Sequence, residues 1–336
     1  MAIPGAKLEW DTYARSDQPH LAQLVDFTVT LRTGSRQHTL VVQYKSHGHP
    51  RQLREAIDRL LRFSHRANHG AYLVVAAPFI TSEGAKMCQD ENVGYYDLAG
   101  NCRLVFGDYY VERNGRPNPF RKDHVGASNL YGPKSERVLR VLFDGKDWKV
   151  VPLADRAKVS TGTVSIVRNL LLEREWAKEG PGGLMLTHPR KLLTDWAAVW
   201  KRRRERPETY FTLKPLDEVE SEMARYADQH HGRFALTGAA GAWRVAPMTR
   251  YNRTQVYWDG DPEALETGVG LKRVNTGANV HVLAPRDEGV FFDKQDVAGV
   301  PVVSPLQLYL DLQRDPARGE EAAEHLLNVR LFPGDA

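Results

Sequence analysis

Asp26, Gln43 and Lys45 are the residues whose types and spacing come nearest to a catalytic set. Residues 26–31 and 38–45 alternate apolar and polar positions around a turn containing Gly34, so they read as a hairpin. Asp26 opens the first strand and Gln43-Tyr44-Lys45 closes the second. Side chains two apart on a strand share a face, which sets Gln43 beside Lys45. An acid facing such a pair suits metal-assisted phosphodiester chemistry. Its oxygens would hold Mg²⁺, and the ammonium would stabilise charge at phosphorus or place a water. Gln43 stands where that chemistry prefers a carboxylate, and a neutral amide is a poorer Mg²⁺ ligand. Asp26, Gln43 and Lys45 are therefore catalytic candidates, with Asp26 the metal ligand. Mg²⁺ is expected only if the site is active, and no cofactor otherwise. The competing reading is an amphipathic hairpin with exposed polar ends.

Several elements must position this set. Pro50 opens a helix to about His65, with Leu53, Ile57, Leu60 and Leu61 on one side. Arg51, Arg54, Arg59, Arg62 and Arg66 lie on the same segment, and Arg51 and Arg54 are candidate DNA-backbone contacts. Residues 71–80 form an apolar run suited to a buried strand, Thr81 or Ser82 can cap a short helix, and 93–106 returns to strand. Asp97, Gly100 and Asn101 interrupt that last strand. They read either as a functional loop or as a plain turn. The order β-β-α-β-α-β, with an acid and a (D/E)-x-K-like pair, resembles the PD-(D/E)XK nucleases. That resemblance implies a restriction-endonuclease-like domain over residues 1–120.

Residues 114–133 are rich in Gly, Pro and Asn and read as a linker. Beyond it, Val138, Leu139, Val141 and Leu142 keep helical spacing, a short helix begins near Pro152, and Ser160-Thr161-Gly162 makes a turn into a third helix. Helix, short helix, turn, helix is the order of a helix-turn-helix, whose last helix reads the major groove. Its outward residues are Thr161, Thr163, Ser165, Arg168 and Asn169, with Lys158 and Ser160 just before. Small hydroxyls allow close approach, and Arg and Asn can meet base edges or phosphates. Two short strands near Trp176-Ala177 and 184–186, joined through Gly180-Pro181-Gly182-Gly183, read as a wing. The predicted domain is a winged helix-turn-helix over 133–206, ending in the basic run Lys201–Arg206. A protein-docking role for the same module is the alternative.

The 336 residues carry a net charge of +4, which says little unless the basic residues cluster. Two cysteines, Cys88 and Cys102, without CxxC spacing imply a reducing cytosol and no zinc site. A cytoplasmic protein with no membrane partner is expected, since no apolar run reaches the ~18–20 residues of a membrane span.

In residues 207–336, Phe234-Ala-Leu-Thr-Gly-Ala-Ala-Gly reads as a strand, a small-residue turn and a helix, as nucleotidyltransferases have. Ala239 stands where those enzymes carry Ser, and Asp259-Gly260-Asp261 reads as a turn rather than a metal pair. Three passages, 93–104, 167–177 and 302–327, together resemble the AbiEi-like antitoxin regulators of type IV toxin–antitoxin systems. Gln307, Tyr309, Asp311, Arg318 and Gly319 keep that family's pattern most closely. The resemblance implies a multi-domain α/β fold with a nucleotidyltransferase-like C-terminal domain. It also implies repression through duplex DNA, and a nucleotidyltransferase-like toxin opposed without a stable complex. The extra N-terminal domain departs from the compact form of the family. The expected function is a DNA-binding regulator of antitoxin type, either monomeric or homodimeric. A metal-dependent nuclease or DNA-repair accessory is one alternative, and a protein-binding adaptor is the other.

Overall fold

The computed structural model describes residues 6–12, 24–33, 36–67, 70–119, 130–248, 250–315 and 319–334. It is a mixed α/β protein, and the described residues form two seven-stranded sheets and a two-stranded one. The chain forms two compact units, Met1–Val125 with Arg168–Ala177, and Gly126–Val167 with Lys178–Ala336. No helix among the described residues is long and apolar enough to cross a membrane.

The N-terminal unit carries strands β1 (Ala6–Thr12), β2 (Phe27–Thr33), β3 (Arg36–Tyr44), β4 (Tyr72–Ala77), β5 (Gly94–Asp97), β6 (Cys102–Phe106) and β7 (Tyr109–Arg113) in sequential order across one sheet. The three strands β3, β4 and β5 run parallel, and the outer pairs are antiparallel. Helix α1 (Pro50–Ala67) makes the first parallel crossover and α2 (Ser82–Asp90) the second. Parallel neighbours need such a crossover, whereas a tight turn suffices for β2–β3. Leu53, Ala56, Ile57, Leu60 and Phe63 of α1 are buried with Val41, Val75, Ala77 and Tyr95 of the sheet. Each large side chain contributes roughly 1.5–3 kcal/mol through burial. Thr81 caps α2, its Oγ1 accepting from Gly84 N at 3.1 Å. The structure adds three strands to the β-β-α-β-α-β order read from sequence: the edge strands β1 and β7, and a second strand from the stretch 93–106, which divides into the antiparallel pair β5 and β6. The two edge strands are of mixed polarity, so neither stands out as an apolar run.

After the segment that follows β7 come α3 (Pro133–Leu142), α4 (Val150–Ala157), α5 (Thr161–Glu173), β8 (Ala177–Gly180), β9 (Gly183–Leu186) and α6 (Pro189–Lys201). The division between the units falls inside α5. Lys158 ends α4 in the left-handed region, at φ 52. Helix α6 stops at Lys201, whereas the sequence reads as a basic helical stretch continuing to Arg206, where Pro207 would end it. Trp148 exchanges both backbone hydrogen bonds with Leu184, at 3.0 and 2.9 Å, adding a third short arm to the β8–β9 ladder. Gly183 makes that contact possible. Its φ is +123, and a Cβ there would lie 2.2 Å from the Trp148 carbonyl oxygen. Gly183→Ala is expected to cost about 2 kcal/mol or more in a urea titration. An unchanged midpoint would show that the ladder tolerates a side chain there.

The second sheet runs β13-β10-β14-β12-β11-β16-β15. Its strands are β10 (Glu208–Phe211), β11 (Phe234–Thr237), β12 (Thr254–Trp258), β13 (Lys272–Arg273), β14 (Val280–Leu283), β15 (Gln295–Val297) and β16 (Val300–Val302). Helices α7 (Leu216–Gln229), α8 (Gly238–Val245), α9 (Pro262–Val269), α10 (Pro305–Leu312) and α11 (Gly319–Leu326) complete the unit. The strand and the helix read at Phe234 form as β11 and α8, but the small residues 238–241 read as a turn are the first turn of α8 itself. Asp261 caps α9 by accepting from Glu263 N at 3.0 Å, and Asp259 accepts from Arg233 N at 2.6 Å. Both aspartates are thus engaged in turn and cap geometry. Helix α3 is buried on nearly every side, Ser135, Glu136 and Arg140 included, although its apolar periodicity marks one face only.

Candidate nucleic-acid interface

Ser160 starts α5. Its Oγ accepts from Thr163 N at 3.2 Å, and its carbonyl accepts from Val164 N at 3.2 Å. Val164, Val167 and Leu171 are buried, as their spacing requires. Thr161 and Asn169 are exposed, and Thr163, Ser165 and Arg168 are half-buried. Ser165 Oγ turns back to Thr161 O at 2.9 Å, which holds that hydroxyl close to the helix. The result is a slim polar face whose first turn offers backbone N–H groups, the arrangement that suits a phosphate or a groove floor.

Acids stand close to the cations before α5. Lys158 Nζ lies 3.4 Å from Glu288, and Arg156 donates to Asp293 at 2.6 Å. Arg137 of α3 forks onto Asp287 with two bonds of 2.7 Å and reaches Glu288 at 2.6 Å. Burial alone would raise the Asp287 carboxyl, but the Arg137 guanidinium and the Gly289 N–H hold it below the usual range. These pairs anchor α3 and the α4–α5 corner to the loop before β15.

In the N-terminal unit, Asp26 sits one residue before β2. Its Oδ2 accepts from Gln43 Nε2 and from Tyr44 N, both at 2.6 Å. Gln43 is buried, and its Oε1 has no hydrogen-bond partner among the described residues. Lys45 Nζ lies 3.3 Å from Glu55 of α1. The hairpin therefore brings Asp26 and Gln43 together, while Lys45 is drawn to the helix. Among the described residues no group of three His, Cys, Asp or Glu could hold a metal ion. Asp26 has one oxygen committed twice and Gln43 offers only a neutral amide, so this set does not fit Mg²⁺.

The basic residues divide into committed and uncommitted groups. Arg54 forks onto Glu175 at 3.0 and 2.9 Å, a hydrogen-bonded pair that raises its pKa. Arg59 pairs with Glu55 at 2.5 Å. Arg51 is exposed and makes no ion pair among the described residues. In the run after α6, Lys201 meets Glu320 at 2.9 Å, and Arg203 pairs with Glu136 while lying 4.3 Å from the Trp200 ring centroid. Arg202, Arg204 and Arg206 stay exposed. Asp97 and Asn101 are buried. Asp97 accepts from Ile80 N at 3.1 Å, Asn101 N at 2.8 Å and Asn101 Nδ2 at 2.9 Å. That pattern fastens a turn.

A buried chain of hydrogen bonds is the feature sequence reasoning missed. Arg140 Nη2 donates to Gln307 Oε1 at 2.6 Å, Gln307 Nε2 to Tyr257 OH at 3.3 Å, and Tyr257 OH to Asp311 Oδ1 at 3.0 Å. Every donor points from the buried cation towards the buried anion, so each bond polarises the next. Thr237 at 2.5 Å and Trp200 at 3.0 Å also donate to Asp311. The available signal was a pair of polar residues four apart, Gln307 and Asp311, in an otherwise apolar helix. Arg318 of the same pattern lies outside the described residues.

Gln307 and Asp311 both fall within a recognised segment. Residues 185–331 match the AbiEi_2 family, described as "Transcriptional regulator, AbiEi antitoxin, Type IV TA system". No curated protein and no solved structure matches the chain. The AbiEi_2 match begins in β9 and ends with the last helical turn, so it leaves out α3 to α5 and the N-terminal unit. Passages 93–104 and 167–177 thus lie outside it. Within the unit, the AbiEi_2 segment supplies Gln307, Asp287 and Glu288, and these hold α3 through Arg140 and Arg137.

Proposed function

We propose that the chain is a DNA-binding transcriptional regulator of the antitoxin type. In this reading α3 to α6 and the β8–β9 ladder form a winged helix-turn-helix, and α5 reads duplex DNA in the major groove. The observation that carries the proposal is α5 itself, with a serine-capped start and a slim polar face. It follows two helices and precedes a two-stranded ladder in the order such modules use. The AbiEi_2 match supplies independent support for a regulator. By the same family likeness, the partner would be a nucleotidyltransferase-like toxin opposed without a stable complex. Three functional segments are proposed within the two units: a nuclease-like 1–120, a reading 133–206 and a nucleotidyltransferase-like 207–336. The first would hold the DNA backbone through exposed cations such as Arg51, without cutting it.

Binding to the protein's own promoter, beside a scrambled duplex across a salt series, tests this reading. A preference on the order of a thousandfold or more is expected of a specific regulator. A ratio near one at every salt concentration would remove it. Arg168→Ala is expected to weaken promoter binding at least about tenfold, the usual worth of one side chain at a base edge. Equal affinity of variant and parent in a low-salt gel shift would count against α5 as the reader.

A further inference from the structure

Helices α1 and α2 cover one side of the N-terminal sheet, the side of Val41, Val75, Ala77 and Tyr95. On the other side, Tyr44 of β3 stands opposite Ala76 of β4, and Ala76 opposite Tyr96 of β5. Cross-strand partners share a face, and neighbouring strands lie about 4.8 Å apart. The two tyrosines therefore stand roughly 10 Å apart, with only a methyl group between them. Tyr44 is 45% exposed and Tyr96 46%. One pleat further in, Val42 and Val74 are buried, so the exposure belongs to this row.

The row carries on through Cys102 of β6, which is buried, to Arg113 of β7. Arg113 is exposed and makes no ion pair among the described residues. Its Nη1 lies 3.9 Å from where a Cβ on Gly100 would be, which places the guanidinium at the β5–β6 turn. The nearby acid, Asp97, is buried and holds the turn. Leu98, directly after Tyr96 and Asp97, is exposed as well.

We propose that this row binds single-stranded DNA, with unpaired bases stacking on Tyr44 and Tyr96 and a phosphate meeting Arg113. Half-exposed aromatic rings offer a surface to the π-face of any base, and a duplex hides that face inside its stack. An uncommitted guanidinium at the end of the row supplies the charge that a phosphate backbone needs. The row lies in a different unit from the exposed start of α5. It gives the N-terminal unit a substrate form of its own, independent of duplex reading.

Fluorescence anisotropy of the full chain with labelled dT20 at low salt tests the proposal, with a duplex titrated in parallel. The double variant Tyr44→Ala/Tyr96→Ala is expected to lose at least about tenfold in dT20 affinity. Tyr44→Phe/Tyr96→Phe, which keeps both rings, should bind within about twofold of the parent. Arg113→Ala should weaken binding and flatten its salt dependence. Duplex affinity should be unchanged in both tyrosine pairs. Parent protein that does not bind dT20 would overturn the proposal, as would an alanine double variant that binds equally well. Equal losses in the phenylalanine and alanine pairs would do the same. If the alanine pair fails to fold by circular dichroism, the phenylalanine pair and Arg113→Ala decide.

Discussion

Asp311→Ala is expected to destabilise the C-terminal unit by about 3–5 kcal/mol. The carboxylate accepts from Thr237, Trp200 and Tyr257, and all three donors are buried. Removing it strands those donors and leaves Arg140 as a buried cation with no anion at the far end of its chain of bonds. Asp311→Asn keeps an acceptor in place and should cost less. The pH dependence gives a second readout. Burial pushes the Asp311 carboxyl up, against the pull of its hydrogen bonds from Thr237 and Gln307. A group raised on folding contributes stability that is full below its unfolded value and is lost as pH rises through the folded one. Parent stability from this group should therefore fall as pH climbs from about 4. The asparagine variant should lack that slope. Urea unfolding followed by tryptophan fluorescence at several pH values measures both effects. A loss under about 1 kcal/mol for the alanine variant would show that the network is dispensable.

This network also marks where sequence reading reached its limit. The helices α1, α3 and α5 were legible because apolar residues recur at helical spacing, and capping residues set starts, Thr81 for α2 and Ser160 for α5. The hairpin that joins Asp26 to Gln43 was legible from alternation and Gly34. Ion-pair partners were not. Arg54 and Arg51 look alike in the chain and both are exposed, yet one is held by Glu175, 121 positions away, and the other makes no ion pair among the described residues. Likewise Lys201–Arg206 reads as one basic run, but Lys201 and Arg203 turn to Glu320 and Glu136. Periodicity reports which side of an element is buried. It does not report which distant acid will meet a given cation, because that pairing is made only by tertiary packing. For the same reason α3 looked amphipathic, although its polar side is buried with Arg140 and Glu136. The division of charge matters for function, since only uncommitted cations add to phosphate affinity without first breaking a pair.

Gln43→Glu is expected to change how the N-terminal unit responds to divalent metal. In the parent, the Gln43 amide donates to the oxygen of Asp26 that also accepts from Tyr44 N. The N–H group thereby neutralises part of the charge that a cation would otherwise balance. The polarity of that bond is fixed by chemistry, because the amide oxygen would repel a carboxylate. Exchanging the amide for a carboxylate sets two acids side by side at a buried position. The cost should be about 2–4 kcal/mol at neutral pH. It should shrink as pH falls, because burial and the like charge raise the introduced carboxyl and protonation relieves both. Mg²⁺ or Mn²⁺ should restore much of the loss by bridging the two carboxylates, and EDTA should remove the gain. Parent protein should melt at the same temperature with or without metal. One outcome would reverse the interpretation: parent protein stabilised by Mn²⁺, and nicking supercoiled plasmid in a manner abolished by Lys45→Ala. The unpartnered Gln43 Oε1 would then be a ligand in waiting, and the nuclease alternative would replace a grip without cutting.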